Sequence, residues 1–149
     1  MPTREELTLK IRDEKRSRGL TWKKIAEALG PGSPILYTAA MLGQMTLTKE
    51  EAENAGKLLG LSEVEVSLLN EPPYRGSLPT LPPTDPLLYR FHELVQTYGT
   101  TWKALIEEEF GDGIMSAIDF NMHMEREPNP KGDRVKITMS GKFLPYKRY

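Results

Sequence analysis

The sequence predicts an α+β protein: an N-terminal helical bundle followed by a small C-terminal helix-and-hairpin domain. Three observations support this. Capped helical segments run from Arg4 to about Asn70, six prolines crowd residues 71–86, and after Gly113 the apolar period changes from helical to alternating. The corresponding divisions are residues 1–71, a proline-rich linker at 72–86, and residues 87–149.

In the first segment Leu7, Ile11 and later Leu20 are apolar among charged neighbours. Thr21 is placed to cap a helix that buries Trp22, Ile25, Ala26 and Leu29 on one face and stops at Gly30. Ser33-Pro34 starts the next, through Met41 and Leu42 to Gly43. Thr48 with Glu51, and Ser62 with Glu65, have the spacing of capping boxes, in which a hydroxyl and a carboxylate satisfy each other's free backbone N–H groups. The first of these helices ends at Leu59-Gly60.

Pro72, Pro73, Pro79, Pro82, Pro83 and Pro86 forbid regular helix and favour an extended connector. Asp85 then caps a helix with Pro86 in its first turn and Leu87, Leu88, Phe91, Leu94 and Val95 as its apolar stripe, ending at Tyr98-Gly99. Thr100 or Thr101 is expected to open a second helix carrying Trp102, Leu105, Ile106 and Phe110. Beyond Gly113, Ile118, Phe120, Met122 and Met124 alternate with polar residues. A turn over residues 128–133 follows, and Val135, Ile137 and Met139 alternate on the return. A lone hairpin is marginal in water, so it is expected to pack on its own helices and against another subunit.

With 149 residues, the chain can bury one core or two small ones that lean on each other or on partners. Hydrophobic residues at 38% and charged residues at 28% are ordinary for a folded soluble protein. No apolar run approaches the roughly 20 residues a membrane span needs, and the start has no apolar signal core, so a cytoplasmic location and no membrane partner are expected. Cysteine is absent, which excludes disulfides and thiolate chemistry, and His92 and His123 are the only histidines. The expectation is therefore no metal and no cofactor.

Residues 21–43 look like a helix-turn-helix unit, but the segment from Ser33 to Leu42 contains no lysine, arginine or asparagine to meet phosphates or base edges. Residues 1–71 carry 10 basic and 11 acidic side chains, and the whole chain has a net charge of −1. Nucleic-acid affinity comes largely from phosphate neutralisation, so the bundle reads as non-DNA-binding and used for structure or assembly.

The segment 89–120 carries the candidate chemistry. Arg90 and Glu93 share a helix face, and Ser116 follows a Gly111-Asp112-Gly113 turn. A guanidinium offers a rigid fork of donors to a carboxylate-like anion, and a serine hydroxyl adds another without bulk. Three runs, Tyr89-Arg90-Phe91-His92-Glu93, then Phe110-Gly111-Asp112-Gly113-Ile114-Met115-Ser116-Ala117-Ile118-Asp119-Phe120, then Gly141-Lys142-Phe143-Leu144-Pro145, resemble the cyanase family in order and spacing. The resemblance covers essentially the whole second half and, more loosely, the first.

That resemblance implies decomposition of cyanate with bicarbonate as co-substrate, through carbamate, to ammonia and carbon dioxide. It places the catalytic arginine, glutamate and serine on Arg90, Glu93 and Ser116. It also implies a homodecamer built from dimers, with interlocked C-terminal strands and sites lined by more than one subunit. On chemical grounds Arg90 and Ser116 bind substrate anions, while Ile114 and Leu144 form apolar walls. Two roles stay open for Glu93: orienting Arg90, which is preferred, or donating a proton to nitrogen if burial keeps it protonated. The contrasting readings are a helix-turn-helix regulator with an anion-sensing dimerisation domain, and an inactive assembly protein.

Overall fold

Every helix of the N-terminal half begins where a hydroxyl side chain can accept a free backbone N–H. In the computed structural model, which describes residues 1–149, α1 (Arg4–Ser17), α2 (Trp22–Leu29), α3 (Pro34–Met41), α4 (Lys49–Leu59) and α5 (Glu63–Leu68) are capped by Thr3, Thr21, Ser33, Thr48 and Ser62. Thr3–Glu6, Thr48–Glu51 and Ser62–Glu65 are complete capping boxes. Each cap contributes about 1 kcal/mol. At Gly60 the backbone enters the left-handed region at φ 65°, which ends α4. No helix is long and apolar enough to cross a membrane.

The chain divides into two units, Met1–Ser77 and Leu78–Tyr149. The first has a closed core, with Leu7, Ile11, Ile25, Leu29, Met41 and Leu59 fully buried. Polar groups lock its helices together. Arg4 donates to the carbonyls of Leu68, Ala40 (3.0 Å) and Met45 (2.9 Å), tying the start of α1 to the ends of α3 and α5. Buried Tyr37 donates its hydroxyl to Glu51 at 2.9 Å and accepts the Gly32 N–H at 3.0 Å. Lys10 donates to both oxygens of Glu65, at 2.8 and 2.7 Å, while the same carboxylate accepts the Ser62 N–H.

The second unit is one helix and one hairpin. Asp85 accepts from the N–H groups of Leu87 and Leu88 and starts α6 (Pro86–Phe110), which runs unbroken. This corrects the expectation of two helices meeting at Gly99. A single mid-helix glycine costs about 1 kcal/mol against alanine, and neither Thr100 nor Thr101 is followed by the proline or reversal that would stop the chain. β1 (Gly113–Glu127) and β2 (Arg134–Pro145) pair antiparallel, with Met124 opposite Ile137 and Met122 opposite Met139. At the turn, Asp133 accepts from the Asn129 N–H and pairs with Arg126 at 3.0 Å.

The hairpin does not pack along α6, contrary to expectation. The two meet near their junction, where Phe110 stacks on Phe143 with ring centroids 5.2 Å apart. No residue of α6 is buried. Leu87, Phe91, Leu94, Val95, Trp102 and Leu105 remain between 42% and 67% exposed, so the helix's apolar stripe has no cover within its own chain.

The Glu65 carboxyl is held below the ordinary glutamate range, first by the Lys10 ammonium that hydrogen-bonds it and then by the Ser62 N–H. A depressed folded-state pKa stabilises the fold above the unfolded value, and this contribution fades as pH falls through the folded value. Replacing Glu65 by Gln is expected to lower stability at neutral pH by about 1–3 kcal/mol. In thermal melts the gap between wild type and E65Q should shrink as the pH is taken down through the depressed folded-state value.

Candidate active site

Arg90 and Glu93 sit on the N-terminal third of α6, one turn apart, and meet as an ion pair with Nε to Oε2 at 3.4 Å. The guanidinium also lies over the Tyr89 ring, 5.5 Å from its centroid. Their side chains are 62% and 55% exposed, so their own chain neither shelters the charge nor buries the carboxylate. An exposed pair of this kind adds little to stability. What it does is restrict the directions in which the guanidinium fork can point.

Ser116 is in a different environment. β1 and β2 are paired in register up to Met115 opposite Phe143 and again from Phe120 opposite Gly141, so residues 116–119 bulge out against Lys142 alone. Inside the bulge Ser116 is 4% exposed. Its Oγ accepts the N–H groups of Ile118 at 3.1 Å and Asp119 at 2.9 Å. A hydroxyl has two acceptor lone pairs and one hydrogen, so both acceptor positions are engaged and the O–H is left to donate. The arrangement suits donation to an anion and gives no base that would turn the oxygen into a nucleophile.

Ile114 and Leu144 are direct cross-strand partners. They are 48% and 41% exposed, forming one apolar step beside the bulge. Ile118, expected on the apolar face of the strand, is 97% exposed, because the bulge resets the alternation and the regular phase resumes only at Phe120. Sequence reasoning missed the two backbone donors that hold Ser116. A signal was there in the serine itself, whose hydroxyl often bonds backbone N–H groups a few positions on. Strand periodicity concealed it. No group of three or more His, Asp or Glu side chains is arranged to hold a metal ion.

The structure joins Arg90 to Glu93 and Ile114 to Leu144, but it does not bring Arg90 to Ser116. Along α6, Arg90 lies about 30 Å from Phe110. The chain from Phe110 to Ser116 can recover at most about 20 Å. The two Cα atoms of one chain are therefore about 10 Å or more apart, and no hydrogen bond joins the two side chains.

Comparison with known proteins covers nearly the whole chain. Residues 4–73 match the family model "Cyanate hydratase, N-terminal" and residues 80–148 match "Cyanate lyase C-terminal domain". The cyanate hydratase of Ralstonia pickettii is 63% identical over 98% of this chain and 99% of its own, and that of Dechloromonas aromatica is 61% identical over the same shares. Among solved structures, cyanase from T. urticae superposes with a TM-score of 0.79 at 36% identity, covering 93% of this chain and 96% of its own.

Replacing Ser116 by Ala leaves the Ile118 and Asp119 N–H groups without an acceptor, at a net cost of about 1 kcal/mol or more. Hydrogen exchange at those two amides is expected to speed up by roughly tenfold, with the amides of β1 beyond Met122 unchanged.

Proposed function

The chain belongs to the cyanate hydratase family, and we propose from that premise that it decomposes cyanate with bicarbonate as co-substrate. A bicarbonate oxygen adds to the cyanate carbon to give a dianionic carboxycarbamate. Cleavage of the bond between that oxygen and the bicarbonate carbon releases carbon dioxide and leaves the oxygen in carbamate. The nitrogen ends with two hydrogens, one from bicarbonate and one taken up from solvent. Carbamate then takes another proton and falls apart to ammonia and a second carbon dioxide.

The observation that carries this reading is the pair of anion-suited donors in a chain of this family: the Arg90 guanidinium directed by Glu93, and the Ser116 hydroxyl with only its hydrogen free. Two monoanions must be brought together, so charge repulsion and lost entropy dominate the barrier. A fixed guanidinium interacts more strongly with the dianion than with either substrate, and only such differential stabilisation accelerates the step. Ser116 aligns one anion against the other. Glu93 acts by orienting Arg90, and Ile114 and Leu144 limit the site to small linear or planar anions. No metal or cofactor enters this scheme.

The reading further holds that the enzyme is a cytoplasmic homodecamer built from dimers, with Arg90 and Ser116 at each site coming from different subunits. The uncovered stripe of α6 supports it. Exposed apolar area on this scale is characteristic of association surfaces.

Ammonia release from cyanate by the purified protein is expected to require added bicarbonate. No release from a well-folded oligomer would overturn the reading. Replacing Arg90 by Lys keeps the charge but removes the fork, and turnover is expected to fall by about 100-fold or more with the oligomer intact. Mixed oligomers, refolded together from Arg90→Lys and Ser116→Ala chains, are expected to turn over cyanate well above the residual rate of either variant alone. Absence of such complementation would mean that each chain builds its own site.

A further inference from the structure

We propose that Gly141 is a positioning residue for the reaction: its missing side chain lets β2 press against the Ser116 carbonyl and so determines where the Ser116 hydroxyl stands. The inference rests on the reading of Ser116 as a substrate-binding donor.

Gly141 is where β2 resumes pairing with β1 after the bulge, opposite Phe120. A Cβ built on it would lie 2.3 Å from the Ser116 carbonyl oxygen, 2.7 Å from Met115 Cγ and 3.4 Å from Met115 Sδ. Real Cβ contacts under 3.0 Å essentially do not occur, so something would have to shift. The methionine side chain is flexible and can turn aside. The Ser116 carbonyl cannot, because it is backbone in a residue whose hydroxyl is already tied to the Ile118 and Asp119 N–H groups.

No positive φ accounts for this glycine, since Gly141 is not among the residues with left-handed backbone. Its reason is proximity: only a residue without a side chain allows the two strands to approach this closely at the bulge. The strand and the bulge thus form a single mechanical unit. An added methyl group would push the whole 116–119 segment outward and carry the hydroxyl with it.

The test is a double-mutant cycle read as turnover, in the assembled enzyme, from Gly141→Ala, Ser116→Ala and the double variant. A displacement approaching 1 Å at a substrate-aligning group is expected to cost about 10- to 100-fold in kcat. The decisive expectation is non-additivity: with Ser116 already replaced, Gly141→Ala should cost nothing further, because the group it positions is gone. Additive losses, or full activity in Gly141→Ala, would overturn the proposal while leaving the role of Ser116 standing. Full activity in Ser116→Ala would instead overturn the reading of Ser116, and this proposal with it. If Gly141→Ala does not assemble, the cycle is repeated in a Met115→Ala background, which removes the second clash and leaves only that with the Ser116 carbonyl. Failure to assemble there as well would overturn the proposal, since the glycine would then serve the fold and not the site.

Discussion

Apolar surface that a chain leaves open on folding favours association, and the segment Leu78–Tyr149 is dominated by such surface. Its helix runs 25 residues without burying one of them. Its hairpin leaves Ile118, Val135, Met124 and Met139 largely open. At about 25 cal/mol for each Å² of apolar surface, leaving such a stripe in water would forfeit many kcal/mol. The N-terminal unit has the opposite character, with a closed core and every helix start capped. One half closes its own core, and the other leaves its apolar stripe open.

This division bears on the chemistry, because all the candidate site residues lie in the half that leaves its apolar stripe uncovered. Arg90 and Glu93 are exposed in the single chain, where water screens the guanidinium. In the proposed assembly the association that covers the α6 stripe also dries the site, so the charge gains strength only where the oligomer has formed. The proposed two-anion reaction would give such an arrangement a purpose, since it needs a concentrated positive field from a chain whose net charge is −1.

Ser116 shows how a site can be held by backbone geometry more than by side-chain neighbours. A bulge of four residues against one turns two N–H groups onto a single hydroxyl and leaves its hydrogen free. Lysine or arginine at that position would supply more attraction but a looser placement. Bulges recur beside active sites for this reason: they re-aim one side chain while the ladder on either side stays paired. The stacked Phe110 and Phe143 rings and the Tyr146 N–H donated to the Asp112 carbonyl close the base of the hairpin beneath it.

Local interactions were legible in the sequence because they act over three or four residues. The hydroxyl–glutamate spacings of Thr48 with Glu51 and Ser62 with Glu65, the glycine stop at Gly60, the Asp85 cap and the alternation from Phe120 onward all name their own structures. The motif runs around Arg90, Ser116 and Leu144 were sufficient to identify the family. Three things were settled only in three dimensions, two of them by residues distant in sequence. Gly99 stays within one continuous helix, because nothing around it supplies a stop. Ser116 is fastened by the Ile118 and Asp119 N–H groups inside a bulge that exists only once β2 has set the register. Gly141 is a glycine because of a carbonyl 25 positions away, a closeness that no reading of its neighbours in sequence contains. Capping and periodicity are encoded within a turn of chain, whereas register and close approach belong to pairs of strands and are decided only when those strands meet.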